Sequence, residues 1–547
     1  MCSIFAIFNP VCPETEARRL AVTLSNLMNH RGPDSHGVFS CSAGMLVHNR
    51  ISIVDVFGGG QPLFAKDRSV ALVANGEIYN HKQIRAGMPH YPFATDSDCE
   101  AILAAYLEYG IACLQHLRGM FAFAILDQAS NTYLVARDHM GILSLYYGYD
   151  RCGTLYVASE MKALTGICEQ IQILPPGHYL SGESTTPVCY YERDWQSYAQ
   201  VTAWHKDTAV LRHALEDAVE SHMMSDVSFG LLLSGGLDSS LVSSIAVRKH
   251  VEKGGKASDL CSFSIGLEGS PDLLAARTMA DFLGTRHFEH VYSLEEGFDE
   301  IRKTIWHIES YDVTTVRAST PMQMLARKIR GNGVKVVLTG DGSDEAFGGY
   351  LYFHKAPGPR ELHEECVRKL SSMHLYDCLR VNKTLLSWGV EPRVPFLDRH
   401  FLDVAMRLDP GEKMCIDGRM EKHILRQTFS DYLPHSIAWR QKEQSSDGVG
   451  YDWIGGLKAM AASLVSDSML AAARYRFPHN TPTSKEAYLY RQIFDELFPH
   501  RSAALCAPGG KTAGNATELA SVWLGGMLID DPSGRAVLGI HTNAMAA

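Results

Sequence analysis

The sequence has no apolar run approaching the roughly 18 residues that a membrane span needs. The stretch Leu519–Ile529 is too short and contains Gly525 and Gly526. The N-terminal segment MCSIFAIFNP lacks a basic region followed by a long apolar one, so it does not read as a secretory signal. The sequons at Asn382 and Asn515 are therefore expected to carry no sugar. No Cys-x-x-Cys pair occurs among the 13 cysteines, and an odd count in a long chain speaks against a secreted disulfide scaffold. Inert buried thiols in a reducing cytoplasm are expected instead. A basic surplus is also missing: 51 Lys and Arg stand against 61 Asp and Glu, a net charge of −10. A sequence-independent nucleic-acid binder would show the opposite balance. Small anionic substrates stay open, because a local cleft need not follow the global sign.

What is present is ordinary globular material. Hydrophobic residues make up 46% and charged residues 20%, which excludes a disordered, collagen-like or coiled-coil chain. At about 150 residues per domain, 547 residues suggest three or four domain-sized units, or two large ones. The first part reads as an α+β unit rich in antiparallel strands. Strands are predicted at Cys2–Phe8, Met45–Asp55, Ser69–Ala74, Phe121–Leu126, Thr132–Ala136 and Thr154–Ala158, with a helix over Glu14–Asn29. A polar stretch at Arg193–Asp207 reads as a linker.

Beyond it, strands alternate with helices. Strands are predicted at Phe229–Leu233, Ser262–Leu267 and Val334–Leu338, and helices at Ser239–Lys249 and Leu273–Leu283. Ser293 and Glu296 predict a capping box for a helix running to about Glu309, and Thr320-Pro321 predicts a further helix start. This alternation implies a doubly wound, mainly parallel sheet, with ligands beyond the carboxyl ends of its strands. The tail after Ala503 is Gly/Ala-rich and is expected to be loosely ordered.

The motif Leu233-Ser234-Gly235-Gly236-Leu237-Asp238-Ser239-Ser240 lies at such a strand end. Two glycines turn the chain, and the backbone N–H groups at the start of the next helix favour an anion. Asp238 adds a carboxylate able to hold Mg²⁺ beside a phosphate. No Gly-Lys-Ser/Thr follows, so this is not a Walker loop. It resembles the pyrophosphate-binding loop of the ATP-pyrophosphatase superfamily, whose members cleave ATP to AMP and pyrophosphate. The segment Thr339-Gly340-Asp341-Gly342-Ser343-Asp344-Glu345 places three carboxylates close together, an arrangement that a cation would favour. Lys442 is a compact cation suited to a phosphate or a developing oxyanion. By spacing alone it reads more readily as a surface lysine.

Cys2 becomes the first residue if Met1 is removed, and its own α-amine, of pKa about 8, is then able to act as base for the thiol. Alone, a cysteine at this position carries little weight. It gains weight from Arg50, able to clamp a carboxylate, and from Asn75 and Gly76, able to form an oxyanion hole. Glu77 and Asp98 are suited to a substrate ammonium. The set fits an α-amino acid with an amide side chain, namely glutamine.

With these residues together, the chain resembles glutamine-dependent asparagine synthetases of the bacterial and plant type. The likeness runs from Cys2 to about Phe498. It includes Cys2–Phe5, His30–Asp34, Ser52–Asp55, Ala74–Asn80, Arg118–Phe123, Ser234–Ser240, Ser319–Pro321, Gly342–Tyr350, Arg393–Asp398 and the Lys442 segment. The resemblance implies an N-terminal-nucleophile glutaminase domain, an αββα sandwich, over 2–192. It implies an ATP-pyrophosphatase synthetase domain over 207–503, leaving 504–547 as a tail. It implies Cys2 as nucleophile and Arg50, Asn75, Gly76, Glu77 and Asp98 as the glutamine site. An internal tunnel would carry ammonia to the second site, where aspartate and ATP form β-aspartyl-AMP. Leu233, Ser234, Gly235, Gly236, Asp238, Ser239, Ile265, Thr339 and Gly340 would bind ATP. Asp238 and Asp344 would bind Mg²⁺, Lys442 and Asp341 would handle the acyl-adenylate, and Thr314, Thr315 and Arg317 would face aspartate. The family often dimerises through its glutaminase domains, which leaves a homodimer open.

Some positions depart from the family pattern. Asp341 stands where close relatives often have Glu, and Thr339 where they have Ser. Ala6, Ser35, Ser144 and Ser445 replace a Gly, an aromatic residue, a Pro and an aromatic residue. None removes a reacting group, but together they leave altered coupling between the sites open. A β-lactam-forming relative would lack Cys2 and its partners. An RNA-modifying relative would want a basic surface and paired cysteines, and a non-catalytic relative would not need both loops.

Overall fold

The computed structural model describes residues 2–201, 203–509 and 516–524. The first part is built on two six-stranded antiparallel sheets. One has the order Gln170–Ile173, Tyr146–Tyr149, Leu155–Ala158, Ser3–Phe8, Gly44–Arg50, Ser35–Cys41. The other runs Ser184–Cys189, His178–Ser181, Thr132–Arg137, Gly119–Asp127, Val70–Ile78, Leu63–Phe64. Side chains alternate across each strand. Ile4, Ala6 and Phe8 join Val73, Ala122 and Ala124 in the core between the sheets. Phe5 and Ile7 point the other way, to Ala17 and Ala21 of the helix Glu14–Ser25. Leu72, Ala74, Phe123 and Ile125 pack on the helix Glu100–Tyr109. The result is the expected four-layer αββα sandwich.

The second part holds a five-stranded sheet, ordered Arg286–Val291, Cys261–Gly266, Phe229–Leu232, Val336–Leu338, Glu391–Arg393, with every pair parallel. The chain moves to one side of Phe229–Leu232 and later returns to the other. That reversal makes a crevice at the carboxyl ends of Phe229–Leu232 and Val336–Leu338. Both chemical motifs leave from there.

The capping box forms as read: Ser293 Oγ accepts from Glu296 N–H at 3.2 Å, Glu296 Oε2 accepts from Ser293 N–H at 2.9 Å, and the helix is Leu294–Ile308. The helix start at Thr320-Pro321 is not there. One helix runs Val313–Gly331, capped by Asp312, with Pro321 inside it. Proline removes the N–H that would bond the carbonyl of Arg317. That carbonyl accepts from Trp453 Nε1 at 2.9 Å instead, so the break costs no hydrogen bond.

The linker region is not free-running. Arg193 and Trp195 both donate to Asp403, at 3.1 and 2.9 Å. The start of the tail is also packed: Cys506 Sγ donates to the Ile171 carbonyl at 3.5 Å, and Cys506 and Ala507 are buried. Thr517 Oγ1 donates to Glu365 at 2.6 Å. Residues 510–515, with the sequon Asn515, and 525–547 lie outside the described residues. Asn382 is fully buried, which closes that sequon to modification in the folded protein. No described helix is long and apolar enough to cross a membrane.

Candidate active site

The strand Ser3–Phe8 brings Cys2 to one end of the sandwich, where the facing sheet presents Asn75, Gly76 and Glu77 on Val70–Ile78. The backbone N–H of Cys2 donates to Asn75 Oδ1 at 2.8 Å. That bond fixes the amide, and its Nδ2 is left buried without a partner. An unpaired buried donor costs about 1–3 kcal/mol, so a developing oxyanion is the partner it suits. Gly76 has φ +130°, and a Cβ there would stand 2.0 Å from the Met120 carbonyl oxygen. If Asn75 serves the oxyanion hole that the sequence resemblance implies, Asn75→Ala lowers glutamine turnover by roughly 10²–10³. Ammonia-dependent synthesis should barely change, and parallel assays of the two reactions check this.

The Cys2 thiol lies 3.8 Å from the Ile51 carbonyl oxygen and packs with Ile51, Ile53 and Val336. Burial raises its pKa, so the resting group is a thiol that needs a base. Asp98 Oδ2 accepts from Ile78 N–H at 2.7 Å, and burial pushes its pKa up to about 6. Burial also holds the Glu77 carboxyl well above its ordinary range, partly offset by the Arg393 guanidinium, whose Nη2 is 3.0 Å from Glu77 Oε1. Arg50 is committed to its own loop: it donates to the carbonyls of Val56 at 3.2 Å, Val54 at 3.1 Å and Asp55 at 2.6 Å. The five nominated glutamine residues and Cys2 thus share one end of the sandwich.

In the second part, a cavity of about 520 Å³ opens at the crevice. It is lined by Leu233, Ser234, Gly236, Asp238, Ser239 and Ile265 from one side of the nucleotide set, and by Thr339, Gly340, Asp341 and Asp344 from the other. Gly235, at φ +70°, makes the turn and does not line it. Ser234 and Ser239 close the loop through a 3.0 Å hydroxyl contact. The helix Leu237–Glu252 then starts on Gly236 with no side-chain cap, leaving its first N–H groups for an anion. At Gly340 a Cβ would meet Ser239 N at 2.6 Å, so only glycine lets the two loops touch.

Lys442 Nζ is 2.6 Å from Asp344 Oδ2. The Lys422 ammonium lies between Asp238 Oδ2 and Asp344 Oδ1, 2.5 Å from each. The two ammoniums hold Asp344 well below the usual carboxylate range, against its burial. Neighbouring Asp344 and Asp238 raise Lys442, against its own burial. Asp341 accepts from Thr339 Oγ1 at 2.7 Å and from Arg380 Nη2 at 2.8 Å. Asp238 Oδ1 is buried without a hydrogen-bond partner. Two carboxylates beside an anion-binding loop are the donor set that suits Mg²⁺ held jointly with phosphate oxygens. Among the described residues no group of three His, Cys, Asp or Glu forms a self-sufficient cage.

Thr314 and Thr315 line this cavity, but Arg317 does not. Arg317 is buried in a two-armed pair with Glu486, at 2.8 and 2.6 Å, beside a second cavity of about 530 Å³ that Thr314 also reaches. Reading by sequence did not find Lys422, Arg380 or Arg31. Lys422 sits at φ +56° before a short helix, with no flanking motif to mark it. Arg31 Nε donates to the Cys2 carbonyl at 3.2 Å, and its neighbourhood was noted only as part of His30–Asp34.

A sandwich with a buried cysteine at the head of its first strand, joined to a parallel sheet with a glycine-rich loop at its crevice, has the plan of a two-site amidotransferase. Residues 1–181 match the family described as glutamine amidotransferase domain. Residues 210–360 and 354–524 match the asparagine synthase family. Asparagine synthetase B [glutamine-hydrolyzing] of Escherichia coli (strain K12) is 55% identical over 553 positions, covering 100% of both chains. Asparagine synthetase [glutamine-hydrolyzing] 1 of Lotus japonicus is 49% identical, covering 100% of this chain and 94% of its own. Asparagine synthetase [glutamine-hydrolyzing] 3 of Arabidopsis thaliana is 49% identical, covering 100% and 96%. The chain belongs to the glutamine-hydrolysing asparagine synthetases.

Proposed function

We propose that the chain makes asparagine from aspartate, ATP and glutamine through two sites used in sequence. One observation carries this reading. Val336 belongs to the same small buried cluster as Cys2, and its strand Val336–Leu338 runs directly into Thr339, Gly340 and Asp341 of the nucleotide cavity.

With Met1 removed, the α-amine of Cys2 takes the thiol proton, and Sγ attacks the glutamine carboxamide carbon. Asn75 Nδ2 and the Gly76 backbone N–H receive the oxyanion. Ammonia leaves, and water releases glutamate from the thioester. Glu77 and Asp98 hold the substrate ammonium and Arg50 its carboxylate. A closed passage between the sites would keep ammonia from protonation.

In the second site Leu233, Ile265 and Gly340 border AMP, and the loop Ser234–Ser239 receives the departing pyrophosphate. Asp238 and Asp344 would hold Mg²⁺, which supplies charge neutralisation at the phosphates when bound. Lys422 and Lys442 flank the same phosphates from the protein side. An oxygen of the aspartate β-carboxylate attacks the α-phosphorus and pyrophosphate leaves. Ammonia then attacks the acyl carbon and AMP departs with that oxygen. Thr314 and Thr315 face aspartate, while Arg317 acts from behind through Glu486. Asp341, fixed by Arg380, stands beside the adenylate. The thirteen unpaired cysteines and the acidic balance support a cytoplasmic enzyme without nucleic-acid partners. A homodimer is proposed on family analogy alone.

Aspartate carrying ¹⁸O in its β-carboxylate tests the intermediate. One labelled oxygen is expected in AMP. Label in inorganic phosphate, with ADP formed, would contradict adenylation.

A pH profile tests the ammonium site. If ionised Asp98 binds glutamine, the fall of kcat/KM for glutamine hydrolysis that the Cys2 α-amine sets below about pH 8 steepens near the value of about 6 that burial imposes on Asp98. Below that pH the carboxyl is protonated and the charge that holds the ammonium is lost. Asp98→Asn should lower kcat/KM and remove the extra steepening near pH 6, leaving the shallower acid limb set by the Cys2 α-amine.

A further inference from the structure

The glutamine pocket is closed by residues of the other domain, and one of them touches both sites. Arg393 belongs to the edge strand Glu391–Arg393 of the parallel sheet and is fully buried. Its guanidinium reaches into the sandwich domain, with Nη2 3.0 Å from Glu77 Oε1. Nε donates to Glu391 Oε1 at 2.7 Å, and Nη1 donates to the carbonyls of His222, at 2.8 Å, and Met224. Nε and Nη1 are thus tied down by hydrogen bonds, while Nη2 makes no hydrogen bond and is held beside Glu77 by ion pairing alone.

The backbone of the same residue holds the nucleotide loop. Its carbonyl accepts from Thr339 N–H at 2.9 Å. Thr339 Oγ1 in turn donates to Asp341 Oδ2 at 2.7 Å, and Asp341 lines the cavity. Three contacts therefore connect a carboxylate of the glutamine pocket to a carboxylate of the adenylation site. Val336, one strand over, pairs in register with Glu391 and shares a buried cluster with Cys2. Both short strands abut the glutamine site and lead into loops of the synthetase domain.

We infer that Arg393 is a positioning residue that couples the two sites, setting Glu77 for the glutamine ammonium according to how the Thr339–Asp341 loop is held by bound nucleotide. The inference rests on the glutamine pocket proposed above. It makes the glutaminase pocket incomplete without the synthetase domain. It also makes the coupling reciprocal, because an effector that tightens glutamine binding is itself bound more tightly when glutamine is present.

The test is calorimetry of glutamine binding to the full-length Cys2→Ala protein, which cannot turn glutamine over. Titrations are run with and without a non-hydrolysable ATP analogue, Mg²⁺ and aspartate. With Arg393 intact, filling the synthetase site is expected to change the glutamine Kd by about five-fold or more. In Arg393→Lys, which keeps the charge but not the fork, the change should fall below about two-fold. Ammonia-dependent synthesis measured in Arg393→Lys with Cys2 intact should retain its KM for ATP, which a merely structural fault would not spare. If Arg393→Lys does not fold, Glu391→Gln loosens the same guanidinium and should at least halve the change. Glutamine binding with no change of Kd when Arg393 is intact overturns the coupling. So does an undiminished change in Arg393→Lys or Glu391→Gln. No glutamine binding under any condition instead overturns the reading of the pocket.

Discussion

Cys2→Ala is expected to abolish glutamine hydrolysis and glutamine-dependent asparagine formation, while synthesis from ammonium continues. The loss should approach the roughly 10⁶-fold seen when a covalent nucleophile is deleted, because Asn75 and Gly76 without a nucleophile stabilise nothing that forms. The sparing of the ammonia route follows from the packing. The side chain belongs to the cluster of Ile51, Ile53 and Val336, and alanine keeps Cβ there. Among the described residues, the thiol's hydrogen-bond contact is the Ile51 carbonyl, and none from the nucleotide cavity bonds to it. Ammonium at about pH 8 should therefore give asparagine at a rate within about three-fold of the unmodified enzyme. Residual glutamine-dependent synthesis of more than about 1% would place the nucleophile elsewhere.

Lys442→Met has the complementary result. Both routes to asparagine fail, and glutamine hydrolysis survives. Lys442 pairs with Asp344 at 2.6 Å inside the cavity, and Asp344 is the carboxylate that Lys422 shares with Asp238. Methionine retains the stem and deletes the charge. The developing negative charge on the α-phosphate and acyl oxygens then loses a fixed cation in a buried site, a loss of roughly 10³-fold or more. Lys442→Arg should recover little, since a planar fork does not fit a site shaped for a point charge between carboxylate and phosphate. The readout is AMP, asparagine and glutamate in one assay. Glutamate without AMP is the expected pattern, and equal loss of all three would mean that the variant had damaged the whole fold.

The chemistry was legible where it sits on local punctuation. Ser234–Ser239 and Thr339–Asp344 announce themselves as glycine turns at the ends of apolar strands, and the strands were found within a few residues. The capping box of Ser293 and Glu296 is local in the same sense. Pro321 misled because the compensation for its missing N–H comes from Trp453, 132 positions away. The strand Arg286–Val291 escaped because it is an edge: its sequence RHFEHV is largely polar, and only its pairing with Cys261–Gly266 makes it a strand. Lys422, Arg380 and Arg393 matter through partners 184, 39 and 316 positions distant, and no spacing rule reaches that far. Composition did not show that the described parts of the tail, 504–509 and 516–524, are packed. They are held by Ile171 and Glu365, both supplied by earlier parts of the chain.

The most direct test of the account follows one atom. Purified protein is given aspartate, Mg²⁺-ATP and glutamine labelled with ¹⁵N in its amide. The account predicts ¹⁵N-asparagine, with AMP formed one for one and glutamate at least equal to it. Glutamate and AMP without ¹⁵N in asparagine, or ADP in place of AMP, would contradict it.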